Sequence, residues 1–151
     1  MQQLMEIEMD TKEQESVSAA MFKKTKTSAK DYEVFKKTFM RVVNLLGLTQ
    51  YEYTFVHAEN EEYAAGCRFE LIGPGVFVYL ARHIPVFIYE RGMEALAVHE
   101  ALHVLLRPFD VWMFPDGEEI PYGTERHMIR MHTIHATIQR LVPVILASLE
   151  D

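Results

Sequence analysis

The sequence predicts a single α+β domain in which an N-terminal helix precedes a small mixed or antiparallel sheet, a motif helix and a C-terminal helix. Three observations predict it. Residues 28–48 space their apolar side chains as a helix does. Residues 51–90 hold four short segments that are alternating or rich in β-branched and aromatic residues. Residues 92–142 return to helical periodicity on either side of a loop rich in Pro and Gly. At 151 residues the chain can bury one hydrophobic core and not two. Its 49% hydrophobic and 25% charged residues are the balance of a packed protein.

The elements follow in order. Residues 1–27 are rich in Gln, Glu, Lys, Ser and Thr, which predicts a flexible or loosely packed N-terminal segment with the domain proper spanning 28–151. Tyr32, Phe35, Phe39, Val42, Val43 and Leu46 form one helical stripe, and Gly47 supplies the stop. YEYTFVHA at 51–58 and AAGCRFEL at 64–71 are expected to pair as antiparallel strands through the AENEE turn. VFVYL at 76–80 and PVFIYE at 85–90 are expected as two further strands. Residues 92–106 form the next helix, expected to stop before Pro108, with Val98, Ala101, Leu102 and Leu105 inward. Thr124 is placed to cap the last helix, which carries Pro143. Met128 and Met131 are expected as core filler, Cys67 as a small buried residue, and Lys23, Lys24 and Lys26 as a solvated face.

The formal charge of -7 argues against a broad phosphate-gripping surface, so no nucleic-acid partner is expected. A single cysteine and an acidic opening, MQQLMEIEMD, predict a reducing, cytoplasmic location. LVPVILASL at 141–149, the most apolar run, is too short to span a bilayer, so no membrane partner is expected.

The residues that carry chemistry are His99, Glu100 and His103, an H-E-x-x-H pattern inside an apolar helix. Residues four apart on a helix share a face with Cβ atoms about 5–6 Å apart, so two imidazoles can hold one ion. Glu100 lies about 100° around the helix from His99, out of place as a ligand but able to act as general base on a metal-held water. A buried helix flanked by Ala97, Val98, Val104 and Leu105 would leave these polar groups costly unless something satisfied them. Catalytic zinc takes three protein ligands. Glu125, at the start of the last helix, is the first choice for the third, with His127, His132 and His135 of the same helix competing. His132 is also a candidate to stabilise a developing oxyanion, as are Tyr122, Arg126 and His127.

HEALH at 99–103 followed by Glu125 resembles the gluzincin arrangement, and is similar to the compact single-domain metallopeptidases often found in phage and prophage genomes. The likeness covers about residues 64–140. It implies His99, His103 and Glu125 as zinc ligands, Glu100 as base, and a strand before the motif helix as rail for an extended peptide or protein substrate. One departure stands out: Ile129 occupies the place where larger gluzincins carry an aspartate, so the carboxylate that orients a ligand histidine is unassigned. The expected function is therefore a zinc-dependent hydrolase, most simply a peptidase, directing a zinc-activated water at an amide bond. The alternatives are a non-catalytic zinc-stabilised interaction module on the same scaffold, and an adaptor without metal.

Overall fold

The computed structural model describes residues 23–60, 62–70, 72–113 and 123–150, the stretch 109–113 by its backbone alone. The first long element, helix α1 (Ala29–Leu45), begins where Ser28 and Asp31 cap it reciprocally. The Ser28 hydroxyl accepts from the Asp31 amide and the Asp31 carboxylate accepts from the Ser28 amide, so two orphan donors of the first turn are satisfied. Gly47, at a φ of 67° that a side chain would resist, reverses the chain after it. Phe35, Phe39, Val42 and Val43 are buried along the predicted stripe.

Strand β1 (Lys24–Lys26) precedes α1 and pairs antiparallel with β5 (His83–Pro85). The packed structure thus begins before residue 28. Thr27 is 2% exposed, and its hydroxyl donates to the Ala81 carbonyl at 2.9 Å and meets His57 Nε2 at 2.8 Å. Because the hydroxyl proton goes to the carbonyl, the imidazole must be the donor in the second bond.

The main sheet has the order β2-β4-β3, from β2 (Glu52–Ala58), β3 (Ala65–Phe69) and β4 (Gly75–Ala81). The expected antiparallel pairing of residues 51–58 with 64–71 does not form. Instead β4 inserts between them, parallel to β2 and antiparallel to β3. Its composition explains the exchange: Val76, Val78 and Leu80 are buried on one face and Phe77 and Tyr79 are half-buried on the other, so it is the strand best suited to the centre. Phe39 of α1 meets Tyr53 and Phe55 of β2 edge to face, which docks the helix on the sheet. The segment expected as a fourth strand at 85–90 contributes only Pro85 to β5 and then turns as the single-turn helix α2 (Val86–Tyr89).

Helix α3 (Met93–Met113) carries the motif and runs on through Pro108, beyond the stop expected there. One missing amide, at the position that would bond the Val104 carbonyl, is tolerated inside a helix held by packing on both sides. Ala97, Val98, Ala101, Leu102 and Val104 are fully buried and Leu105 half-buried. Helix α4 (Glu125–Glu150) starts at Thr124, whose hydroxyl accepts from the His127 amide at 3.3 Å, and continues through Pro143. Its inward residue Ile138 is fully buried, whereas Met128 and Met131 are 50% and 39% exposed and are not the core filler expected of them. Lys23, Lys24 and Lys26 are exposed, as expected. Among the described residues no helix is long and apolar enough to cross a membrane.

Candidate metal centre

Helix α3 packs against α1, β3 and α4, so the motif lies where edge strand and last helix meet. The α3–α4 pairing is antiparallel: Leu96 shares a recess with Val142, His103 sits beside His135, and Arg107 shares a second recess with Met131. This register brings a third imidazole to the motif pair. One ring nitrogen from each of His99, His103 and His135 lies within 4.8 Å of the other two. The ring centroids stand 5.0, 5.4 and 5.2 Å apart and the rings are strongly inclined, so the nitrogens converge on one point without stacking.

The spacing of the motif pair suits a small tetrahedral ion. Two nitrogens about 2.05 Å from one zinc ion at tetrahedral corners stand about 3.3 Å apart. The Nε2 atoms of His99 and His103 are 3.2 Å apart. Burial pushes His99 down to about 4, helped by the nearby His135 and Arg91 charges, and burial lowers His135 as well. Both are therefore neutral imidazoles at pH 7, the form that binds a metal.

Glu100 is 6% exposed, and burial alone pushes its carboxyl up to about 8. It lines both recesses that flank the histidines and is not among the three converging ligands. The Cys67 thiol of β3 donates to the Glu100 backbone carbonyl at 3.5 Å, tying the edge strand to the motif helix. Burial, and then the Glu100 charge, raise Cys67 well above the usual thiol range, so it stays protonated.

Of the residues singled out in the sequence, His99, Glu100 and His103 come together as expected. His135 joins them from the set of competitors, and Glu125 does not. Glu125 is exposed at the first turn of α4, ten residues or about 15 Å of helix from His135. His132 is exposed and lines neither recess. His127 is half-buried one turn from the start of α4, Arg126 is exposed beside it, and Tyr122 lies outside the described residues. Arg68, Arg107 and Arg130, which border the recess beyond His103, were not anticipated. Arg107 was legible, since it continues the 99, 103 spacing by one more turn.

Comparison with known proteins finds no family, no curated protein and no solved structure that matches this chain.

Proposed function

We propose that the chain is a zinc-dependent hydrolase acting on the amide bonds of peptides or proteins, with His99, His103 and His135 as ligands and Glu100 as general base. The observation that carries this reading is the convergence of three imidazole nitrogens within 4.8 Å beside a buried carboxyl that is not one of them. Three protein donors with a position left over is the pattern of catalytic zinc, while structural sites close with four. Among the described residues the cluster offers three. With His135 at the third corner, the site keeps the H-E-x-x-H half of the gluzincin resemblance and not its carboxylate ligand.

Zinc held by three neutral imidazoles would keep its full charge available to acidify a water and to polarise the scissile carbonyl. Glu100 takes the proton of the attacking water and hands it to the leaving amine. The burial that raises its pKa makes it a stronger base than an exposed carboxylate, and a dication held by the three histidines would keep it ionised at neutral pH. Strand β3 ends the β2-β4-β3 order, so its outer edge can take an extended substrate as one more strand. The recesses on either side of His99 and Glu100 then receive side chains from both sides of the scissile bond.

Glu100→Gln tests this reading because it keeps shape and removes the base. The variant should retain about one zinc per chain by elemental analysis and lose 10²–10⁴-fold in rate, about 3–5 kcal/mol of barrier. A wild type that purifies without metal and cannot be loaded with it would sink the proposal. Zinc content with no change in any hydrolysis on Glu100→Gln would leave the non-catalytic module.

A further inference from the structure

The two recesses flanking the centre differ in how far they follow the edge strand. The larger, about 680 Å³, is bordered by every residue of β3 from Ala65 to Phe69, about 13 Å of extended chain. The smaller, about 320 Å³, meets that strand only at Ala64 and Ala65, where it begins. His99 and Glu100 border both. A substrate laid along β3 therefore has strand to pair with for several residues on one side of the reacting bond and for hardly any on the other. The small recess is near the lower limit of ligand pockets, which run from about 300 to 1,000 Å³, and so has room for one residue and not for a continuing chain.

Its chemistry suits a chain end. Ala64, Ile88, Ala95, Leu96 and Val142 supply apolar walls, and Arg91 and Gln139 complete the border. Its one carboxylate among the described residues is Glu100, which the proposed chemistry occupies. Arg91 stands in the turn between α2 and α3, and the backbone of that turn is fixed. The Arg91 amide donates to the Ile88 carbonyl at 3.1 Å, the Gly92 amide donates to the Tyr89 carbonyl at 3.0 Å, and Gly92 takes a φ of 92°. Glu90 and Glu94 flank Arg91 in sequence, yet among the described residues its side chain forms no ion pair. A guanidinium on the rim of an apolar recess can present its planar fork to the two oxygens of a carboxylate. A free α-amine would call for an acidic group in the same place.

We propose that the chain removes single apolar residues from the C-terminus of peptides, the last side chain filling the small recess, its free carboxylate meeting Arg91, and the preceding residues lying antiparallel along β3 toward Phe69. The proposal rests on the hydrolase reading and adds the substrate class and the direction in which the substrate lies. Water adds to the carbonyl carbon of the penultimate residue and the C–N bond breaks. The last residue leaves as a free amino acid, its amine taking the proton that Glu100 received, and the peptide keeps a new carboxylate.

The test separates binding from turnover. Zinc-loaded Glu100→Gln protein is titrated with uncharged decapeptides, labelled at the N-terminus, that end in Leu as the free acid or as the amide, and wild type is profiled on the same peptides by mass spectrometry. The free acid should bind about tenfold more tightly than the amide, and wild type should shorten it by one residue at a time. A peptide ending in Glu should bind more weakly than one ending in Leu. Arg91→Gln, placed in the Glu100→Gln background, should bring the free acid down to the affinity of the amide with zinc content and melting temperature unchanged, and Arg91→Lys should restore part of the preference. Equal binding of acid and amide, no binding of either, or a preference that survives Arg91→Gln would overturn the proposal. Cleavage at interior bonds, with acid and amide cut alike, would refute this inference and leave the hydrolase reading standing. Arg91-dependent binding of the free acid with no cleavage by wild type would keep the carboxylate pocket and sink the hydrolase reading.

Discussion

The third ligand is the point at which structure and sequence expectation diverge, and His135→Ala against Glu125→Ala decides it. Complete zinc sites bind with about 10–16 kcal/mol across four ligands, so one imidazole is worth about 3–4 kcal/mol, or 10²–10³ in affinity. Glu125, about 15 Å along the helix from His135, has no route to that contribution. The readout is the zinc-induced shift in melting temperature, taken within each variant so that any change in intrinsic stability cancels. With free zinc held at about 100 times the wild-type dissociation constant, binding adds about 2.7 kcal/mol. For a chain of this size that is a rise of about 5–11 °C. Glu125→Ala should keep the whole rise. His135→Ala, its dissociation constant now at or above the zinc concentration, should keep about 1 °C or less. A full shift in His135→Ala together with a lost one in Glu125→Ala would refute the assignment and the helix register on which it stands.

Other outcomes follow from the same structure. In metal-free protein two titrations oppose one another. The raised pKa of Glu100, about 8 in the fold, makes the native state the stronger proton binder from the ordinary carboxyl pKa of about 4.3 upward, and about 1.5–2 kcal/mol of its contribution should be lost between pH 6.5 and 8. The lowered His99 and His135 make the unfolded chain the stronger proton binder below about pH 6.5, which offsets the Glu100 trend on the acid side. Urea unfolding at pH 6.5 and 8 measures the alkaline loss, and Glu100→Gln should flatten it. Thr27→Val removes the partner of a buried carbonyl and of His57, and should cost about 1–3 kcal/mol in the same assay. A loss under 0.5 kcal/mol would show that β1 and Thr27 are not integral to the fold. Phe39→Ala, which empties the contact between α1 and β2, should cost about 3–5 kcal/mol without altering zinc affinity.

What was legible in the sequence is what depends on neighbours along the chain. The α1 stripe and its Gly47 stop, the Thr124 cap and the pairing of His99 with His103 are set by 3.6-residue periodicity and by the local hydrogen-bonding needs of helix ends. These hold whatever else the chain does. The exchange of strand partners was not legible, because residues 51–58 and 64–71 alternate well enough to pair. Only competition for the central position, which β4 wins by being apolar on both faces, sends them to opposite edges.

The third ligand turned on one further non-local fact, the length of α3. If that helix stopped before Pro108, His103 would stand at its last turn and would face the first turn of the next helix, where Glu125 is. The helix instead runs to Met113, so His103 stands ten residues before its end, and the residue ten places into α4 is His135. Pro108 has a strong intrinsic tendency to end a helix, but packing of α3 against α1, β3 and α4 offsets the one lost hydrogen bond, and a local rule yields to tertiary contacts. The sequence by itself determined that two imidazoles and a carboxyl share one helical turn. The register of two antiparallel helices, a property of the folded core alone, decided which third imidazole stands beside them.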